Sequence, residues 1–144
     1  MPFQIIYSSQ ATELMTVTEL EEILSDARVG NKARNITGAL IYVDGVFFQI
    51  LEGDKAVVRK LMASIARDSR HKFVKVFYDA EVDERVFESW SMAYLNSTPE
   101  QMSIWAGLPD TTTVEKLLTG VKRNPDRVPL MLISILNALI EQDE

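Results

Sequence analysis

Residues 36–53, ITGALIYVDGVFFQILEG, contain two apolar runs joined by the dipeptide Asp44-Gly45. This dipeptide between two such runs favours a tight β-hairpin. Successive side chains of a strand point to opposite faces of the sheet, and here both faces are apolar. The stretch therefore predicts two neighbouring strands at the centre of a sheet that is covered on both sides.

Gln49 is the polar exception within the second run. It shares a face with Phe47 and Leu51, so its primary amide is expected to be buried. Two N–H donors and a carbonyl acceptor left without partners in an apolar environment cost a few kcal/mol. The sequence thus predicts a specific hydrogen-bonding partner for this side chain.

Outward from the hairpin, the pattern predicts the order β-α-β-β-α-β-β. A strand is expected at 3–9, and Thr18 with Glu21 fits a capping box that starts a helix with an apolar stripe. The stripe breaks at Gly30 and Asn31, so that Asn31 is expected to follow the helix. A second helix is expected after Gly53-Asp54, and two further strands within 72–82 and 90–96.

The first six elements match the ferredoxin-like split βαβ arrangement, in which both helices pack on one face of the sheet. We therefore predict an α+β fold: ferredoxin-like βαββαββ, with a five-stranded mixed sheet and C-terminal helices on the second face. The predicted divisions are a domain at 1–98 and a helical segment at 99–144. Helix 130–142 is apolar nearly all round, which favours a homo-oligomer.

Composition excludes several classes of function. The net charge of −6 argues against nucleic acid or an anionic membrane as partner, since both require a basic surface. There is no cysteine for thiol chemistry, and a single histidine argues against a zinc site. No signal peptide and no apolar run of about 20 residues is present, so a cytoplasmic protein is expected.

Five stretches together resemble the BLUF family of blue-light sensors that bind flavin. They are IIYSSQ at 5–10, NKARNITGALIY at 31–42, GVFFQILEG at 45–53, IARDSRH at 65–71 and FESWSM at 87–92. Each alone is common, but the five in this order and spacing are specific. They run through most of residues 3–95.

The resemblance implies roles for ten residues. Tyr7 matches the photoactive tyrosine, and Gln49 the glutamine between that phenol and the flavin. Asn31 matches the asparagine at the C4 carbonyl and N3 edge of the ring. Apolar positions near the ring match Ile23 and Phe47, and the ribityl and phosphate side matches Asp68, Arg70 and His71. Trp90 and Met92 match a W-x-M pair that competes for space near the glutamine, on one face of the last strand.

The resemblance also implies a function without substrate turnover. Light drives electron and proton transfer from Tyr7 to the flavin, and the Gln49 amide rotates or tautomerises. FAD is the expected cofactor, although FMN or riboflavin would suit the same ring site. With no room for an output domain in 144 residues, the signal is expected to pass through the last strand and the C-terminal helices to a separate protein.

Two other classes of function remain open at this point. Ferredoxin-like domains also include small acylphosphatase-type hydrolases, for which Arg34 or Arg70 would have to act with Asn31. The chain could also be an interaction module without pigment. Taken singly, Tyr7, Trp90 and Met92 would be ordinary core residues; only Gln49 requires a special explanation.

Overall fold

The computed structural model describes residues 1–12, 16–43, 45–87 and 91–96 and positions 98, 101, 104, 123, 134 and 138, without the side chains of 71, 77 and 96. In chain order the elements are β1 (Phe3–Ala11), α1 (Val17–Ala33), β2 (Thr37–Val43), β3 (Val46–Gly53), α2 (Lys55–Ala66), β4 (His71–Glu81) and β5 (Ala93–Asn96).

The five strands form one mixed sheet in the order β4-β1-β3-β2-β5. All neighbours are antiparallel except β2 and β5, which run parallel. The predicted ferredoxin-like fold with a fifth strand is therefore confirmed. The predicted C-terminal helices, including helix 130–142, lie outside the described residues. The isolated positions described in that segment, at 101, 104, 123, 134 and 138, are helical.

The hairpin between β2 and β3 has the predicted tight turn. Val43 is opposite Val46, and Gly45 has a φ of 80°, which glycine adopts without strain. The following helix also starts where the sequence indicates. Asp54 has an extended backbone and accepts hydrogen bonds from the backbone N–H groups of Ala56 and Val57.

The start of α1 differs from the prediction. The capping box uses Thr16 and Glu19, not Thr18 and Glu21: the Thr16 side chain accepts from the Glu19 N–H at 3.2 Å. Two T-x-x-E patterns overlap in this stretch, two residues apart. The first one caps the helix because Thr16 has an extended backbone, whereas Thr18 already lies within the helix.

The end of α1 also differs from the prediction. The helix does not break at Gly30 and Asn31 but continues to Ala33. The left-handed residue is Asn35, with a φ of 54°, and the next N–H, of Ile36, donates to the Asn31 carbonyl at 2.8 Å. Asn31 is therefore in the last turns of the helix, with its side chain buried.

Both faces of the sheet are buried, as the hairpin sequence predicts. The face that carries α1 and α2 includes Phe3, Ile5, Tyr7, Leu40, Phe47 and Leu51, which pack with Leu20, Ile23, Leu24, Val58 and Met62. The other face includes Ile6, Ile41, Phe48, Ile50 and Leu95. A site on the first face is consequently enclosed by the sheet and the two helices.

Candidate functional site

A cleft opens between α1 and α2 on the helix-bearing face of the sheet. Its cavity volume is about 200 Å³, and it is partly open to solvent. Small-molecule sites are typically clefts of roughly 300–1,000 Å³ with apolar walls and a few polar groups. This cleft has that kind of lining, at a smaller volume. Its lining residues are Tyr7, Ile23, Asp26, Ala27, Asn31, Arg34, Leu40, Gln49, Leu61, Ser64, Ile65, Asp68 and Arg70.

Tyr7 and Gln49 meet at the floor of the cleft. They are directly opposite each other in the register of β1 and β3. The Tyr7 hydroxyl donates a hydrogen bond to Oε1 of Gln49, and both side chains are buried. Burial raises the pKa of the Tyr7 phenol far above its ordinary value, and the negative charge of Asp68 raises that pKa further.

The other end of the Gln49 amide contacts Met92. Nε2 of Gln49 donates to the Met92 sulfur at 3.6 Å, a weak hydrogen bond. Met92 is buried, but it lies just before β5 and not within the strand as the sequence predicts. The amide therefore joins a phenol on β1 to the segment that leads into β5.

Asn31 lines the cleft from the last turns of α1. Its Nδ2 donates to the Ser91 carbonyl at 2.9 Å, and the residue is 2% exposed. Within the described part of the chain, its Oδ1 accepts no hydrogen bond. A buried amide oxygen of this kind requires a donor, so the cleft presents an acceptor to a ligand.

Asp68 and Arg70 form the outer side of the cleft. Arg70 Nη2 lies 2.6 Å from Asp68 Oδ2, and Arg70 Nη1 lies 3.8 Å from Asp26 Oδ2. The hydrogen bond with Asp68 raises the pKa of the Arg70 guanidinium. Arg70 is thus already paired with carboxylates, which lowers its value as a free anion-binding group.

The other predicted site residues differ in where the structure places them. Ile23 lines the cleft. Phe47 is fully buried on the same face of the sheet and packs its ring against Tyr42, but it is not among the residues that line the cleft. Trp90 and the side chain of His71 lie outside the described residues.

These residues fit the flat ring system of a flavin. A ring between α1 and α2 would find apolar walls at Ile23, Leu40 and Ile65. The imide edge of the ring has an N–H donor next to a carbonyl acceptor, which suits the Oδ1 and the remaining N–H of Asn31. The second N–H of Gln49 is likewise directed to no acceptor among the described residues.

Sequence patterns did not single out two residues, one beside the site and one buried on the opposite face of the sheet. Arg28 of α1 donates from Nε to the Met92 carbonyl at 3.0 Å. Glu52 of β3 is fully buried and accepts from the backbone N–H groups of Val86 and Phe87 at 2.7 and 2.8 Å. A carboxylate inside an apolar strand is a signal that the sequence offers, whereas an arginine on an exposed helix face offers none.

Two further kinds of feature are absent from the described residues. They contain no group of three or more histidine or acidic side chains placed to hold a metal ion. None of the helices described by the structure is both long enough and apolar enough to cross a membrane.

Comparison with known proteins identifies one family over most of the chain. The family model that matches residues 3–93 is described as BLUF, sensors of blue-light using FAD. A curated relative, photoactivated adenylate cyclase subunit alpha of Euglena gracilis, is 39% identical over 106 residues, or 74% of this chain. The match covers 10% of that relative, so the chain spans about a tenth of its length.

Two solved structures are similar over nearly their whole length. BlsA in its ground state is 32% identical, with a TM-score of 0.75 over 92% of this chain and 89% of that chain. BlrB, a BLUF protein in its dark state, has a TM-score of 0.75 over 95% and 96% of the two chains. BlrB is 23% identical, so this second likeness concerns the fold alone.

Proposed function

Because the chain belongs to the BLUF family of blue-light sensors that use FAD, we propose that it binds an oxidised flavin non-covalently in the cleft between α1 and α2 and signals its excitation. The single observation that carries this proposal is the buried Tyr7–Gln49 hydrogen bond at the floor of that cleft. It places a phenol that keeps its proton against an amide whose two ends can exchange roles.

Asn31 and Gln49 orient the ring in this proposal. The Oδ1 of Asn31 would accept from the imide N–H of a bound flavin, and its remaining N–H would donate to the adjacent carbonyl. The second N–H of Gln49 would be available as a further donor to the ring. Ile23 on α1 and Ile65 on α2 form apolar walls that keep water from the phenol and the amide.

A flavin held in this cleft would supply blue-light absorption and an excited state able to take up an electron. Tyr7 is placed to give that electron, and its hydroxyl proton already points along a hydrogen bond to Gln49 Oε1. The raised pKa of Tyr7 keeps the phenol protonated before excitation, so the proton is available in every dark molecule. Once the electron and a proton had returned to Tyr7, the Gln49 amide would be left rotated or tautomerised, with its two ends exchanged.

The rearranged amide changes the environment of Met92. In the dark, Nε2 donates to the Met92 sulfur. If the amide turns over, Oε1 faces that sulfur, and two atoms that carry lone pairs then meet without a hydrogen between them. Met92 moves away, and the segment leading into β5 receives the signal.

FAD or FMN is the proposed cofactor in preference to riboflavin. A second cavity adjoins the first and shares Arg34, Leu61 and Ser64 with it. Its lining adds Lys60, so two cationic side chains, Arg34 and Lys60, line this cavity, which would receive the chain of a flavin bound in the cleft. Phosphate groups suit such a pair. This replaces Arg70, which Asp68 and Asp26 already neutralise.

A separate downstream protein is the proposed recipient of the signal. BlsA, which aligns with this chain over 89% of its own length, supports the comparison with a light sensor. The Euglena relative, by its name, joins light sensing to a cyclase, and here the same kind of sensor would act without turning over a substrate itself. The homo-oligomer and the cytoplasmic location expected from the sequence stay predictions.

The geometry disfavours the acylphosphatase-type alternative. That chemistry needs a free guanidinium beside an amide donor aimed at the same anion. Arg70 is paired with Asp68, and the Nδ2 of Asn31 donates to the Ser91 carbonyl. Arg34 lines both the cleft and the adjoining cavity, and in that cavity its neighbour among the lining residues is the cation Lys60, not an amide donor.

An absorption spectrum before and after blue illumination tests the proposal. The purified protein, supplied with flavin during expression or refolding, is expected to show oxidised-flavin absorption. Illumination should give a small red shift that reverses fully in the dark. Protein that takes up no flavin, or that bleaches without a shift, contradicts the proposal.

A further inference from the structure

Two side chains of α1 hold the backbone just before β5. Arg28 and Asn31 are three positions apart, so they project from the same side of the helix. Arg28 Nε donates to the Met92 carbonyl at 3.0 Å, and Asn31 Nδ2 donates to the Ser91 carbonyl at 2.9 Å. Two consecutive carbonyls are thus attached to one helix by two different donors.

The two donors have different relations to the cleft. Asn31 lines it and is buried, so it belongs to the site already described. Arg28 is exposed and does not line the cleft. Any effect of Arg28 on the chemistry therefore acts through the residue whose carbonyl it holds, and that residue is Met92.

Met92 is the side chain that meets the Gln49 amide. Its sulfur accepts from Gln49 Nε2 at 3.6 Å. A sulfur is a weak acceptor, so this contact alone does not fix the position of Met92. A charged donor on the carbonyl of the same residue is a stronger attachment. The backbone bond is therefore the stronger of the two attachments that bear on the position of the sulfur.

We propose that Arg28 is a positioning residue of the photocycle: it holds the Met92 backbone to α1 so that the sulfur meets the Gln49 amide in the dark. This inference rests on the proposed function for its consequence in the light, but the contact itself exists in the dark protein. No carboxylate within the described residues forms an ion pair with Arg28. The Met92 carbonyl is accordingly its one hydrogen-bond partner there.

Substitution of Arg28 tests the proposal in the full chain. Arg28→Met keeps a long side chain with good helix propensity and removes the donor. Arg28→Lys keeps a donor on a more flexible stem and should restore part of the effect. Arg67→Met is the matched control, because Arg67 is exposed and its side chain makes no hydrogen bond or ion pair within the described residues.

Two measurements report on the position of Met92. The first is the NMR signal of its methyl group in protein labelled with [methyl-13C]methionine, assigned by comparison with Met92→Leu. The second is the rate of dark recovery after blue illumination. In Arg28→Met we expect a displaced, broadened Met92 methyl signal. We also expect recovery about threefold to tenfold slower, since Arg28 is exposed and the loss of one ordinary hydrogen bond changes an equilibrium by about that factor. The dark absorption maximum should not move.

The outcomes separate this inference from the proposed function. A Met92 methyl signal in Arg28→Met that coincides with the unsubstituted protein overturns the inference, whatever the recovery rate. An equal displacement in Arg67→Met overturns it as well. If the unsubstituted protein shows no photocycle, the proposed function fails, yet the methyl comparison in the dark protein still decides whether Arg28 positions Met92.

Discussion

Tyr7 and Gln49 occupy paired positions on β1 and β3, and the Tyr7 hydroxyl donates to the Gln49 amide oxygen. The pairing depends on the strand register, because a shift by one residue would move either side chain to the opposite face of the sheet. The amide nitrogen of Gln49 is then left to face Met92 and the cleft. This one register therefore lets the Gln49 amide contact the Tyr7 hydroxyl at one end and the Met92 sulfur at the other.

Replacement of Gln49 by leucine should remove the light response but not the pigment. Asn31 and the apolar walls of the cleft remain, so Gln49→Leu is expected to bind flavin. The phenol of Tyr7 loses its acceptor, which should lower the free energy of unfolding by about 1–2 kcal/mol. Difference absorption spectra should show no reversible red shift.

The matched control for this variant is Gln10→Leu. Gln10 lies on β1 as an exposed residue and is not among the lining residues of the cleft. It should retain the full shift. A normal photocycle in Gln49→Leu would show that the amide does not carry the response.

Because the phenol of Tyr7 is buried, the free energy of unfolding is expected to fall at high pH. Burial raises the pKa of Tyr7 above its ordinary value of 10.0, so the unfolded chain loses this proton first. Stability from this group is complete below about pH 10 and falls as the pH rises further, by up to roughly 1.4 kcal/mol per pH unit. Urea unfolding at pH 8 and near pH 11 should give a smaller decrease for Tyr7→Phe than for the unsubstituted protein.

The same pair of proteins gives a second readout at neutral pH. Tyr7→Phe should bind flavin and show no reversible shift, since phenylalanine has no hydroxyl proton to give. Equal alkaline losses in the two proteins would contradict the burial of an ionisable phenol at this position.

Glu52 is expected to be a major contributor to stability on the far side of the sheet. Its carboxylate accepts from Gln4, Thr37 and the backbone of Val86 and Phe87. In Glu52→Gln an amide N–H₂ must face one of these donors, at a cost of about 2–4 kcal/mol. Urea unfolding of Glu52→Gln beside the exposed Glu21→Gln measures this cost, and a loss of less than about 0.5 kcal/mol, the size of an ordinary surface change, would refute it.

The second cavity predicts a preference among flavins. Arg34 and Lys60 should favour FAD and FMN over riboflavin, because only the former carry phosphate. Arg34→Gln combined with Lys60→Gln is expected to weaken FMN binding about tenfold or more and to leave riboflavin binding nearly unchanged. Titration by flavin fluorescence checks both. An equal loss of affinity for FMN and for riboflavin would show that Arg34 and Lys60 do not bind the phosphate.

Local sequence signals predicted most of the framework but not the limits of α1. Two overlapping T-x-x-E patterns fit the helix start equally well, and only the extended backbone at Thr16 distinguishes them. Gly30 and Asn31 predict a helix end because both are poor helix formers. The structure keeps them helical since the Asn31 side chain is buried and bonded to the Ser91 carbonyl, 60 residues away. Packing of this kind overrides local propensity.

The sequence by itself determined the strand order along the chain, the hairpin at residues 43–46 and the need of the Gln49 amide for a partner. These follow from alternation, turn chemistry and the cost of a buried amide, which are all local. The tertiary structure decided that the amide nitrogen meets Met92, that Arg28 holds the backbone of Met92, and that backbone N–H groups near the end of the domain satisfy the buried Glu52 carboxylate. These contacts join residues 34 to 64 positions apart. No local pattern records them, because they form only when distant segments of the chain pack together.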